Sequence, residues 1–252
     1  MKIVFFFITI LSGILLTGSV YAQQAQRLKI IREIPVLSYH NIYQHPPKLN
    51  SLYISVVQFD LQMQELHKKG YHAVLPDQLA AFYKNGTALP DHPFIISFDD
   101  AHVEHYTLAL PVLEKYKFKA VFFVMTVCID KKGFLSGNQI ADISKSGHVI
   151  GAHTWDHPNL TKLVMAKWGT QIDQPKRKLE SITGQPVTCF AFPYGAWNEQ
   201  VVRKLQESGF TTAFQLQGKL SNSYPLLTVR RMMVSGNTSP HLLIKQMESH
   251  FK

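Results

Sequence analysis

Short apolar runs of strand length alternate along this chain with longer stretches in which apolar positions recur at helical period. The runs are 35–39 (PVLSY), 94–98 (FIISF), 120–125 (AVFFVM), 148–152 (HVIGA), 188–192 (TCFAF), 211–215 (TTAFQ) and 226–234 (LLTVRRMMV). The helical patterns cover 55–69, 76–84, 102–116, 138–146, 162–183, 197–208 and 238–250. Strands that are apolar throughout, rather than at every second position, are buried on both faces, which is the mark of a parallel sheet covered by helices. This alternation, in a chain of 252 residues, predicts an α/β fold: a distorted (β/α) barrel of seven strands, with its active site at the C-terminal ends of those strands.

The N-terminal end breaks the pattern. Lys2 is followed by IVFFFITILSGILL and then by TGSVYA, with small or short residues at Val20 and Ala22. This is the build of a secretory signal peptide over 1–22, cut after Ala22; the alternative is an uncleaved membrane anchor. The polar stretch 23–33 reads as a linker, and 34–252 as one catalytic domain without internal repeats. The expected location is therefore exported, in the periplasm or outside the cell.

Composition adds little until charge is considered. The chain is 46% hydrophobic and 17% charged, as suits one globular domain with a sizeable core. Its formal charge is +9, and loss of Lys2 with the signal segment leaves +8. The basic residues are scattered, with only short clusters such as 176–178 (KRK), and no zinc finger, RNA-binding signature or basic helix accompanies them. Nucleic acid is therefore excluded as a partner, and the charge is read as attraction to an anionic envelope or membrane surface. Cys128 and Cys189 make no disulfide framework and are expected as buried thiols.

The candidate chemistry lies where the predicted strands end. Two adjacent acids, Asp99 and Asp100, follow FIISF; His40 follows PVLSY, His153 follows HVIGA, and Pro193 and Tyr194 follow TCFAF. In GAHTWDHPNL, His153 and His157 are four apart, and Pro158 favours a turn over a helix there. Two imidazoles and a carboxylate are a familiar set for a catalytic zinc with an open position. With twelve histidines in the chain, the pair gains weight only because a barrel brings it beside Asp100. A divalent cation on Asp100, His153 and His157 would also explain two adjacent carboxylates at a buried strand end: Asp100 binds the metal, and Asp99 remains a free carboxylate whose pKa the cation holds down.

SFDD, HTWDH and FAFPYG, in this order and spacing, resemble the first three motifs of the polysaccharide deacetylases of the NodB-homology type, carbohydrate esterase family 4. The likeness covers nearly the whole mature chain. PVLSYHNI, LYISVVQFDLQMQELHKKGY and AFQLQGKL…PLLTVRRMMV are similar in particular to the branch acting on biofilm poly-N-acetylglucosamine, whose motif order is permuted so that an N-terminal His enters the site. The resemblance implies that Asp99 is the general base, that Asp100, His153 and His157 bind the metal, that Tyr194 holds the oxyanion through its backbone N–H, and that His40 protonates the departing amine. It implies zinc as the metal, with cobalt or nickel as alternatives, and an acetylated glycan as the partner; the oligomeric state is open, with a monomer favoured. Three features depart from the pattern. The motif Arg that orients the base is Ala191, so another cation must serve, and Arg231 is the candidate; the Gly after the paired acids is Ala101; and no aromatic motif for the acetyl methyl is evident.

Other residues carry two readings. His102 and His105 are further ligands, or solvated and cleft-lining residues on the following helix. Asp156 orients a ligand His or caps a turn, and Trp155 and Trp197 stack on sugar rings or finish a core edge. The expected function is metal-dependent removal of N-acetyl groups from N-acetylglucosamine units of an extracellular or envelope glycan. The alternatives are the same chemistry on peptidoglycan, chitin oligomers, a lipid-linked sugar or an O-acetyl ester, or an idle glycan-binding module.

Overall fold

The apolar runs pair edge to edge as parallel strands. The structure, a computed structural model, describes residues 33–50, 52–216 and 218–251; the expected signal segment 1–22, and all of 23–33 but Glu33, lie outside these. The strands are β1 (Val36–Tyr39), β2 (Asn41–Tyr43), β3 (Tyr53–Ser55), β4 (His72–Ala73), β5 (Pro93–Phe98), β6 (Val121–Val124), β7 (Val149–Ala152), β8 (Cys189–Ala191), β9 (Thr212–Phe214) and β10 (Met232–Met233). Seven follow one another around a curled sheet in the order β10-β1-β5-β6-β7-β8-β9, with β4 beside β5 and β2–β3 forming a separate pair. Around them run α1 (Val56–Lys68), α2 (Pro76–Asn85), α3 (Leu110–Lys115), α4 (Gly137–Lys145), α5 (Gln174–Thr183), α6 (Glu199–Glu207) and α7 (Pro240–His250). This is the expected distorted (β/α) barrel.

Alternation along each strand separates two cores. Ile95, Val121, Phe123, Cys189, Ala191 and Phe214 form one cluster, the barrel interior. Ile96, Phe98, Phe122, Val124, Ile150, Ala152 and Phe190 belong to the other, which the helices cover. Gly151 shows how tightly the interior is filled: a Cβ there would stand 2.4 Å from the Phe123 ring and 2.9 Å from Cys189 Sγ. Cys128 and Cys189 are both buried and unbridged.

The last apolar run is mostly not strand. Pro225–Leu227 forms a 3-10 turn, and only Met232–Met233 pairs with β1. Val229 nonetheless bridges to Phe214 of β9, and Val234 N–H donates to Ser38 O of β1 at 3.0 Å. One short segment thus spans the gap between the two end strands and carries Arg231 at its middle.

Two helical predictions are also shortened. The 102–116 pattern becomes a π turn (His105–Ala109) before α3, and 162–183 becomes 3-10 turns and a π turn (Gly169–Asp173) before α5. The cause is the same in both. Pro111 and Pro175 stand in the first turns of α3 and α5, where each removes the N–H that the carbonyl four residues earlier would accept, and the chain widens. Among the described residues no helix is long and apolar enough to cross a membrane.

Candidate active site

Continuing the inward rows of the strands by one step builds the site. On β5 the row Ile95, Ser97 leads to Asp99; on β1, Val36 and Ser38 lead to His40; on β7, Gly151 leads to His153. A period of two and a shared strand direction therefore bring three polar residues to one end of the barrel interior.

Arg231 reaches the same point from the closing segment. Its Nη1 donates to Asp99 Oδ1 at 2.6 Å and its Nη2 to Oδ2 at 2.8 Å, a two-pronged pair. Nη1 also donates to Ser97 Oγ at 3.3 Å and Nε to Gln215 O at 3.2 Å. The guanidinium carbon lies 5.3 Å from the centre of the Phe123 ring. Arg231 and Asp99 are only 1% and 2% exposed. Burial alone would raise the Asp99 pKa, but Arg231, with smaller help from His153 and His40, holds it well below the usual carboxylate range. The counterion of Asp99 is thus a protein guanidinium, that of the residue expected to stand in for the missing motif Arg. His40 Nε2 stands 3.7 Å from Asp99 Oδ2. Burial lowers the His40 pKa against the opposing pull of Asp99.

Asp100 has different surroundings. It and Ala101 adopt left-handed backbone, with φ of 76° and 61°, so the chain turns sharply as it leaves β5. The Asp100 Oδ1 lies 3.6 Å from His153 Nε2 and 3.7 Å from His157 Nε2. Burial first, and the charge of Asp99 second, lift its carboxyl to about 7. Burial also pushes the His153 imidazole down to about 3 and lowers that of His157, so neither neighbour is a cation at neutral pH. The His153 Nδ1–H donates to Ala191 O at 2.8 Å, which turns the Nε2 lone pair toward Asp100. One donor atom from each of Asp100, His153 and His157 falls within 4.8 Å of the others. Two neutral imidazoles and a poorly compensated carboxylate, converging in this way, fit a divalent cation with further positions open.

Tyr194 sits in the Pro193–Gly195 turn with φ of 60°. Its exposed ring packs edge-on to His157, with centroids 4.6 Å apart. His102 stacks on Phe134 at the cleft. His105 is neither solvated nor cleft-lining; it is wholly buried beneath the site. Its Nε2–H donates to His40 O at 2.5 Å, and burial holds its pKa down to about 3. Trp155 is exposed, whereas Trp197 packs against the core and donates to Gln215 Oε1 at 3.1 Å. Asp156 bonds Gln171, a residue the sequence reading passed over because it lies well beyond the motif.

Residues 86–213 match the polysaccharide deacetylase family model, just over half of the chain. The chain belongs to the polysaccharide deacetylase family. This family member is 26% identical over 208 residues to the protein named putative polysaccharide deacetylase YxkH of Bacillus subtilis, covering 82% of this chain and 73% of that one. It is 22% identical over 246 residues to the poly-beta-1,6-N-acetyl-D-glucosamine N-deacetylase of Escherichia coli, covering 81% of this chain but only 37% of the length of that enzyme. Among solved structures, the Streptococcus pyogenes deacetylase PplD in complex with acetate superposes with a TM-score of 0.79 at 24% identity, covering 85% of this chain and 98% of that one. At that identity the superposition speaks for the fold.

Proposed function

We propose that this chain is a metal-dependent polysaccharide N-deacetylase that removes acetyl groups from N-acetylglucosamine units of an extracellular or cell-envelope glycan, poly-N-acetylglucosamine foremost. The observation that carries this reading is the contrast at one strand end: a buried Asp99–Arg231 pair beside an Asp100–His153–His157 set suited to a cation. Zinc is the first choice of metal, with cobalt or nickel as alternatives.

Asp100, His153 and His157 would hold a divalent cation, which would supply Lewis-acid polarisation of the amide carbonyl and a more acidic water. The rest is done by the chain. Each Asp99 oxygen accepts one bond from Arg231 and keeps a second lone-pair direction free. Arg231 therefore fixes the direction of the carboxylate while lowering its basicity. Asp99 takes the proton of the attacking water as the water oxygen bonds to the acetyl carbon. The C–N bond then breaks, acetate leaves, and the nitrogen must gain a proton to leave as an amine. His40, beside Asp99 at the end of the neighbouring inward row, is the donor; Asp99 opposes the burial that lowers the pKa of its imidazole. Tyr194 contributes its backbone N–H at the rim for the developing oxyanion.

The test is amine release from a panel of acetylated glycans by the purified chain supplied with Zn²⁺. Release from poly-β-1,6-N-acetylglucosamine, abolished by chelation and restored by Zn²⁺ or Co²⁺, is the expected result. Turnover of peptidoglycan or an O-acetyl ester alone would replace the substrate, and no turnover of any substrate would overturn the reading.

A further inference from the structure

His153 and His157 stand at the two ends of a loop that should not hold its shape unaided. Thr154 and His157 both have left-handed backbone, with φ of 68° and 65°, and a β-branched residue there is a genuine outlier. Backbone bonds tie the first half down: Thr126 N–H donates to Thr154 O at 3.3 Å and Val127 N–H to Trp155 O at 2.9 Å. Within the loop, His157 N–H donates to Thr154 Oγ1 at 2.9 Å. The residues just before His157 are held from outside by one side chain as well. Gln171 Oε1 accepts from Trp155 N–H at 3.1 Å and from Asp156 N–H at 3.5 Å, and its Nε2 donates to Asp156 Oδ1 at 2.8 Å.

Gln171 is buried, and both ends of its amide are in use. Its place follows from the π turn at Gly169–Asp173, which Pro175 imposes by offering no N–H to the Gln171 carbonyl. Two strained positions flanking two bonded ones, clamped by a buried amide from another element, form a device for fixing one imidazole.

We infer that Gln171 is a positioning residue for His157, setting the affinity of the site for its cation. This rests on the reading of His157 as a metal ligand given above. The amide matters for its pattern of one acceptor and one donor more than for its volume. Gln171→Glu keeps the acceptor but sets a carboxylate against Asp156, so the clamp opens. Adding Asp156→Asn reverses donor and acceptor and closes it again at the wild-type local charge.

The experiment is Zn²⁺ affinity of the full, metal-stripped chain, measured by competition with a chromophoric chelator. Gln171→Ala should bind Zn²⁺ about tenfold to a hundredfold more weakly, the usual loss when a ligand's partner is removed. Gln171→Glu should also weaken binding, and Gln171→Glu/Asp156→Asn should return it close to the wild-type value. Should Gln171→Ala fail to fold, the near-isosteric Glu pair carries the test. Tighter Zn²⁺ binding by Gln171→Glu would show that charge, not position, governs the site and would overturn the inference. Wild-type affinity in Gln171→Ala, with His157→Ala weakened, would overturn it while leaving the ligand reading intact. Wild-type affinity in His157→Ala would overturn both.

Discussion

Asp99 and Asp100 are neighbours in sequence, yet the regions around them solve the problem of a buried acid in opposite ways. Asp99 ends an inward row of β5 and meets a guanidinium with both oxygens. Asp100 leaves the strand through a left-handed turn and meets two imidazoles that burial keeps neutral. The protein supplies the first counter-charge from its own chain; on the reading proposed above, the second comes from a bound cation. An acid proposed to transfer protons keeps its direction through a fixed partner, whereas an acid proposed to bind metal is left with open lone pairs.

The largest expected effect comes from separating the two acids by mutation. Asp99→Asn should lower kcat by about 10²–10⁴-fold, the worth of a positioned base, while leaving metal content unchanged. Asp100→Asn should lose metal, with activity partly recovered in excess Zn²⁺. Metal analysis beside rate decides the matter, and a reversed pattern would exchange the two roles.

Next in size is the loss of the internal counter-charge. Arg231→Ala leaves Asp99 buried without its partner and should cost about 3–5 kcal/mol of stability, read by chemical denaturation. Arg231→Lys should recover little, since a single ammonium cannot bridge both oxygens. A stability unchanged in Arg231→Ala would mean that Asp99 is compensated from elsewhere.

The smallest effect is a background against which any pH study of the two acids must be read. His148 is buried, accepts Ala120 N–H at Nδ1, and has its pKa pushed down to about 4 by burial and then by Lys119. The unfolded chain binds this proton at a higher pH than the folded one does. Stability from this group is therefore present above about pH 6.5 and is lost as pH falls towards 4, by at most about 1.4 kcal/mol per pH unit. His148→Phe should flatten this acid slope in thermal melts; an unaltered slope would assign it to other buried groups.

How much of this was legible beforehand follows from the range of each signal. The strands were legible because a sheet buried on both faces leaves continuous apolar runs, and those runs set which residues fall at one rim. Asp99 and His153 sit one residue beyond strand ends and Asp100 two, so the same signal points to them; His157, five residues beyond, was legible only through its spacing from His153. The left-handed turns at Asp100, Ala101, Thr154 and His157 were not legible, because no glycine announces them. The clamp by Gln171 depends on a π turn, and the proline that causes it lies inside 162–183, a stretch read as one helix. His105 was read as a further ligand or a solvated or cleft-lining residue, because polar residues at the start of a helix after a strand end ordinarily face the cleft or solvent. Arg231 was reached by asking what could stand in for the missing motif Arg, but that it would engage both Asp99 oxygens has no local signature. Its run, 226–234, looked like an ordinary strand, and its role depends on how the barrel closes.

That closure has a consequence for the time at which the site can exist. Arg231 lies 132 residues from Asp99 along the chain, on the segment that joins the first and last strands of the curled sheet. A contact this distant forms only after the intervening β/α units have been brought together. Until then Asp99 is an acid without its guanidinium, which water must solvate, so the strand end cannot become dry. The Asp99–Arg231 pair is therefore among the last features of the fold to mature, and on the role proposed for Asp99 a partly folded chain carries no competent base.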